Sequence, residues 1–390
     1  MKVDVAIVGA GPAGLCFARS LAGSGLSVAV VERQPPEAIA GPAFDGREIA
    51  LTHASRAILE RLGLWQRFDP DEVSVLRDAR VSNGEAAAGL DVSAADGRSG
   101  QLGWLVPNHL IRRAAYDLVA TQPDVQLLAG RGVAGVSRQS GGMGLALEDG
   151  GTVQARLLVA ADSRFSQVRR MLGIGARSRD HGRQMLVARV AIERPHRHVA
   201  WEWFGYGQTL ALLPLNGDRA SVVLTLPPAD MARIVAMDDA AFGAEMERRF
   251  RGEVGAIRAQ GTRHVYPLVS VFADRFCVPG AALVGDAAVG MHPVTAHGFN
   301  LGLQGQATLA EVVLEAHRRG ADIGAAEVLA RYDRRHRAAA WPMYAGTRLV
   351  VRVFTDDRMP VRGLRAAILG TVNRLPPLRR AIAGRLTQAA

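Results

Sequence analysis

Residues 3 to 32 read VDVAIVGAGPAGLCFARSLAGSGLSVAVVE. Val3 to Val8 is a short run rich in β-branched residues, which predicts a buried strand. Gly9 to Gly14 follows as a turn, and Leu15 to Leu21 has helical apolar spacing that ends near Gly23 and Gly25. Val28 to Val31 is a second buried strand, ended by Glu32. Strand, turn, helix and strand in so few residues predict a parallel sheet with helices on its faces. Within the turn, Gly9-x-Gly11-x-x-Gly14 has a physical reason at each glycine. Gly9 permits the tight turn, Gly11 lets the backbone approach a pyrophosphate, and Gly14 lets the helix pack closely on the strand. The helix N-terminus presents its positive dipole end to that phosphate, and a carboxylate at Glu32 can accept hydrogen bonds from a ribose. The stretch predicts dinucleotide binding without separating FAD from NAD.

Further along, the pattern changes. Residues 71 to 100 and 180 to 270 hold short alternating stretches such as Val199 to Phe204 and Ala220 to Leu226, punctuated by Gly205, Gly207, Pro214, Gly217, Pro227 and Pro228. Such patterning predicts a mostly antiparallel β module. Trp201, Trp203 and Phe204 read either as a sheet face in the core or as the wall of an apolar pocket. Gly141-Gly142-Met143-Gly144 reads as a hairpin turn, because no helix follows it. The βαβ character returns around Ala281 to Leu309. The expected organisation is an α/β, Rossmann-like dinucleotide domain in three pieces (1–70, 104–178 and 271–345). A β-rich substrate domain (71–103 and 179–270) is inserted into it, and a basic helical segment (346–390) closes the chain.

The returning segment narrows the chemistry. Leu283-Val284-Gly285-Asp286-Ala287-Ala288 runs a strand into a small-residue turn with one acid. His292-Pro293 follows, then a helix start at Gly298-Phe299-Asn300-Leu301-Gly302-Leu303. Asp286 could accept from the ribityl hydroxyls of a flavin. The N–H groups around Gly298 to Asn300, at a helix N-terminus, would offer positive charge to a reduced isoalloxazine.

Composition excludes several other classes. The 390 residues are nearly half hydrophobic with ordinary charge content, as in a folded globular protein. Cys16 and Cys277 are far apart and show no metal-binding spacing, so neither a disulfide framework nor a metal site is expected, and a reducing cytoplasm suits the chain. The N-terminus goes straight into an apolar strand with no secretory pattern, and no run approaches the roughly 18 apolar residues of a membrane span. The net charge of +10 equals the excess of thirteen arginines over three aspartates after residue 330. That tail lacks a recognition motif and has few aromatics, which argues against nucleic acid. Arg362, Arg365, Arg374, Arg379, Arg380 and Arg385 alternate with Leu364, Ile368, Leu369, Leu378 and Ile382. This reads either as a solvated surface or as a basic amphipathic contact with a partner protein or the inner face of the membrane.

The order of Gly9-x-Gly11-x-x-Gly14, then Leu158-Val159-Ala160-Ala161-Asp162-Ser163-x-x-Ser166-x-Val168-Arg169, then Gly285-Asp286 with His292-Pro293 resembles the FAD-dependent aromatic-ring hydroxylases related to para-hydroxybenzoate hydroxylase. Asp45-Gly46-Arg47-Glu48-Ile49-Ala50-Leu51 and Tyr266-Pro267-Leu268 make it similar to the ubiquinone-biosynthesis branch of that superfamily. The resemblance spans essentially the whole chain. It implies that Gly9, Gly11, Gly14, Glu32 and the adjacent Arg33 hold the ADP half of FAD. Arg47 would reach the ribityl or phosphate region, Asp162 would help FAD and NAD(P)H engage, and Gly285 and Asp286 would hold the ribityl chain. Pro293, His297, Gly298, Phe299 and Asn300 would surround the reacting ring, with Pro293 and His297 the candidates nearest the chemistry. The implied cycle uses NADPH or NADH to reduce FAD, O2 to form a C4a-hydroperoxyflavin, and transfer of one oxygen to an electron-rich ring such as a prenylated quinol.

Four departures stand out. Ala160-Ala161-Asp162-Ser163 replaces the family's Gly-Ala-Asp-Gly, Val289 replaces a histidine, Ala296-His297-Gly298 replaces Gly-Gln-Gly, and Gln304-Gly305 replaces Arg-Asp. Two alternatives to quinone hydroxylation stay open on the sequence. One is another flavin enzyme, acting on a soluble aromatic or secondary metabolite or reducing prenyl chains. The other is a flavin-bound, non-catalytic member of a biosynthetic complex.

Overall fold

The computed structural model describes residues 1–84, 89–96, 100–205, 207–356, 358–375, 377, 380 and 384. Two sheets of eight strands and one of three organise them. In the first, the order is Cys277–Val278, Ala281–Leu283, Thr152–Ala160, Lys2–Val8, Val28–Glu32 and Val125–Ala129. Neighbours from Ala281–Leu283 to Val125–Ala129 are all parallel. Val5, Ala6 and Ile7 are fully buried, as expected of a strand covered on both faces. The Pro12–Ser20 helix packs between the Asn108–Ala120 and Gly298–Arg318 helices, which explains why Leu15, Cys16, Phe17 and Ala18 are consecutively buried. Gln139 and Gly142 pair across the expected hairpin turn.

The second sheet runs Val289–Gly290, Ile257–Ala273, Ala176–Ile192, Arg219–Leu226, Thr209–Pro214, Val199–Phe204, Asp78–Asn83 and Leu90–Val92. All its pairings are antiparallel except Val199–Phe204 with Asp78–Asn83. Strand alternation divides its side chains between two faces. Leu186, Ala188, Leu210, Leu212, Val222 and Leu224 pack under Met231, Ile234, Phe242 and Met246 of the Pro228–Val235 and Asp239–Arg249 helices. Trp201 and Trp203 join that core, so of their two readings the sheet-face one holds. Met185, Val187, Ala211, Leu213 and Val223 point the other way and line a cavity toward the parallel sheet. A one-residue slip would exchange these two sets, so the helix-covered core also fixes which residues face the cavity.

The Ala326–Phe354 helix is tied to the first sheet by Tyr332, whose hydroxyl donates to the Leu283 carbonyl at 2.6 Å. The Met359–Arg374 helix then folds back. Leu369 is buried against Leu90, Val92 and Leu102. Arg365 is fully buried and donates to the carbonyls of Phe354 and Asp356 at 2.7 and 2.9 Å. A uniformly solvated basic tail is therefore corrected at Arg365, which ties the last helix to the end of the preceding one, and at Leu369, which packs on the body. Leu378, Arg379, Ile382 and Arg385 lie outside the described residues.

Candidate active site

Both sheets open onto one cavity of about 730 Å³. Its first end is made by backbone. Gly9 has φ of 109°, and a Cβ there would sit 2.5 Å from the Ala161 carbonyl oxygen. At Gly14 a Cβ would sit 2.0 Å from the Gly9 carbonyl oxygen. Gly11 is different: its Cβ would meet nothing within 4 Å, and the residue faces the cavity. Glu32 reaches back to the turn, where its carboxylate accepts from the Ala10 N–H at 2.7 Å and the Gln34 N–H at 2.9 Å. These residues fit the ADP half of FAD: an open backbone beside a helix N-terminus for the pyrophosphate, and a carboxylate at the second strand's end. Arg33 is placed outside the cavity, exposed and paired with Glu148 at 2.9 Å.

The middle motif closes over this turn. Asp162 caps the short Gln167–Met171 helix, accepting from the Ser166 hydroxyl at 2.5 Å and the Val168 N–H at 3.2 Å. Its backbone backs Gly9, and it lines the cavity while its carboxylate serves the helix. Arg169 is buried and donates to the Ala287 carbonyl at 2.9 Å, tying the middle motif to Gly285–Ala287. Arg164 donates to Asp286 at 2.8 and 3.1 Å. Sequence reasoning passed over Arg164, although it stands two residues beyond Asp162 in the quoted motif. Asp286 thus faces the cavity as one half of an ion pair. Ser163 has φ of 109° where the family places glycine, and Ala296 has φ of 53° at another such departure. Both departures put a side chain into backbone that favours glycine.

At the far side of the Gly285 turn, Pro293, Gly298 and Phe299 line the cavity. The first bond of the Gly298–Arg318 helix runs from the Leu301 N–H to the His297 carbonyl at 2.9 Å, so the N–H groups of Gly298, Phe299 and Asn300 precede it. Asn300 is turned inward: it accepts from the Thr52 N–H at 3.1 Å and donates to the Ala50 and Ala296 carbonyls at 2.8 and 3.0 Å. His297 is also buried, at the start of the helix, and is not brought to the cavity wall. His292 does line it, packed edge-on to His181 at 4.8 Å. Burial, with His181 and Arg164 nearby, pushes the His292 imidazole down to about 3. Its Nδ1 accepts from the Val294 N–H at 3.2 Å, which fixes the turn before the helix.

The Asp45-Gly46-Arg47 loop joins the two ends. A Cβ on Gly46 would meet Val187 at 2.7 Å and His264 at 2.8 Å, so only glycine lets the loop lie on the sheet. Arg47 pairs with Asp45 at 2.6 Å and lies 5.5 Å from the centre of the Tyr266 ring. Tyr266 donates to the Asp45 carbonyl at 2.7 Å. Beyond it, Glu48 is held by Arg189 at 2.8 Å. Glu202, unremarked in the sequence, faces the same cavity.

Comparison with known proteins agrees with this geometry. Residues 2–347 match the family described as FAD binding domain. The ubiquinone hydroxylase UbiM of Neisseria meningitidis is 43% identical over 388 residues, covering 98% of this chain and 84% of that protein. The ubiquinone hydroxylase UbiL of Rhodospirillum rubrum is 39% identical over 377 residues, 97% of this chain and 87% of that protein. Among solved structures, Pseudomonas aeruginosa PqsL in complex with 2-aminobenzoylacetate superposes with a TM-score of 0.78 at 23% identity, covering 94% of this chain and all of that one. The chain therefore belongs to the FAD binding domain family and, with it, to the flavin-dependent monooxygenases.

Proposed function

We propose that the protein hydroxylates the aromatic ring of a ubiquinone precursor, with NADPH or NADH as the reductant. The observation that carries this reading is the single cavity that runs from the nucleotide turn to an apolar sheet floor. The ubiquinone hydroxylases among its relatives direct it to a quinol-like ring. Overall, one O2 and one NAD(P)H with a proton convert a ring C–H to C–OH, and the second oxygen leaves as water. FAD, when bound, supplies the electron transfer and oxygen activation. Gly9, Gly11 and Glu32 hold its adenosine and phosphate end, and Asp286 its ribityl chain. The N–H groups at Gly298 to Asn300, which precede the first helix bond, would stabilise negative charge on its ring system. Met185, Val187, Ala211, Leu213 and Val223 exclude water around the substrate. Arg164 and the exposed Phe165, at the cavity mouth, would receive a reduced nicotinamide.

The same reading places the C-terminal helices against an anionic membrane surface, where a prenylated precursor resides. Leu349, Met359, Leu364 and Leu375 are exposed beside the exposed Arg348, Arg352, Arg358 and Arg374, and no described helix is long and apolar enough to cross a membrane. The test of the whole reading is mass spectrometry of the quinone pool in cells with and without the gene, in a strain lacking any second hydroxylase. A prenylated intermediate short of one ring oxygen is expected to accumulate; an unchanged pool would shift the reading to a soluble aromatic substrate.

A further inference from the structure

Five carboxylates line the cavity: Glu32, Glu48, Asp162, Glu202 and Asp286. Four are spoken for. Glu32 accepts two backbone N–H groups, Glu48 pairs with Arg189, Asp162 caps a helix, and Asp286 pairs with Arg164. Glu202 has neither a hydrogen bond nor an ion pair among the described residues. It stands between Trp201 and Trp203, which turn to the opposite, helix-covered face. On the cavity face its cross-strand partner is Ala211, followed across the sheet by Val223 and Val187. At about 4.8 Å between strands, this row is an apolar strip roughly 14 Å long with one carboxyl at its end. That is room for an aromatic ring with a substituent.

An unpartnered carboxyl in such a wall destabilises the fold, and a strand position between two tryptophans would accept valine or leucine. The group is open to the cavity yet surrounded by protein, and burial pushes it up to about 8. At neutral pH it is therefore a carboxylic acid with one O–H donor and free acceptor oxygens. Such a group can pair with a ring hydroxyl in both directions; Ala211 and Val223 in its own row offer no rival, and the hydroxyls of Thr209, Ser221 and Thr225 line the same face in the adjoining rows.

We propose that Glu202 is a specificity-determining residue that receives the hydroxyl of a phenolic substrate and orients its ring between the sheet floor and the Pro293–Gly298 loop. The assignment rests on the aromatic-substrate reading above, and its test separates the two. The FAD-loaded protein and its Glu202→Leu and Glu202→Gln variants are titrated with a short-chain prenylphenol and with its methyl ether. Binding is followed by flavin absorbance and equilibrium dialysis. The unaltered protein is expected to bind the phenol about tenfold or more tightly than the ether. Glu202→Gln should keep most of that preference, because its amide still donates and accepts. Glu202→Leu should bind both probes alike with FAD content and Tm undiminished; Glu202→Met serves the same purpose if the leucine variant does not fold. An unchanged preference in the leucine or methionine variant overturns the assignment and leaves the aromatic reading standing. Failure of the unaltered protein to bind either probe overturns both.

Discussion

The two ends of the cavity are built on opposite principles. At the nucleotide end, backbone does the work: Gly9 and Gly14 sit where a Cβ would collide with carbonyl oxygens, Gly11 opens the main chain, and helix N-termini face inward. Every carboxylate there is already held by an amide, a hydroxyl or an arginine. The sheet floor is built from side chains on an ordinary pleated surface, where many apolar residues would serve, and it keeps one carboxyl without a partner among the described residues. The cofactor end is therefore intolerant of substitution, while the floor is free to set which ring is accepted.

If that contrast holds, the largest effect belongs to Gly14→Ala. Its Cβ would meet a backbone oxygen that cannot move without shifting the first strand, costing about 3 kcal/mol or more, and the protein should lose FAD and Tm together. Gly11→Ala sharpens the point: with open space at its Cβ, it should keep the apoprotein's Tm and lose FAD affinity, as measured by flavin fluorescence. If both variants behave alike, the distinction between packing and cofactor glycines fails. Next comes Asp286→Ala, which removes a charged acceptor and leaves Arg164 without its carboxylate. A weakening of FAD binding by about tenfold to hundredfold is expected; a change below twofold would remove Asp286 from the cofactor's contacts.

On the floor, Glu202→Gln should raise stability with a definite pH dependence. The folded protein holds the Glu202 proton up to about pH 8, whereas the unfolded chain releases it near 4.5, so stability falls as pH rises between those values. The glutamine variant should lie within about 1 kcal/mol of the parent at pH 5 and gain roughly a further 3 kcal/mol on it by pH 8, read from urea unfolding. A constant difference across that range would show that Glu202 is not buried as an acid. The smallest effect is expected at Ser163, whose φ of 109° is natural for glycine. Ser163→Gly should stabilise the protein by about 1 kcal/mol, checked by Tm.

The same contrast explains what the sequence disclosed. Gly9, Gly14 and Gly46 stand where a Cβ would collide with its surroundings, whereas Gly11 was legible because a pyrophosphate needs bare backbone beside it. The parallel sheet was legible because strands buried on both faces read as unbroken apolar runs. Asn300 was assigned to the flavin for its backbone N–H, which precedes the first helix bond although its side chain turns inward; His297 flanks the same helix start, and its side chain is buried there. Arg33 stands just past the end of the Val28–Glu32 strand, where its side chain turns to solvent and pairs with Glu148. Glu202 carried a signal that could have been used: a lone carboxylate between two tryptophans in an alternating strand must lie opposite them.

The central claim, that both ends of the cavity serve one oxygen-transfer site, is tested most directly with purified FAD-loaded protein, NADPH or NADH, a short-chain prenylphenol and O2 enriched in heavy oxygen. The account predicts a ring-hydroxylated product carrying one labelled oxygen atom for each reductant consumed. Reductant oxidation that yields only hydrogen peroxide, with the prenylphenol recovered unchanged, would contradict it.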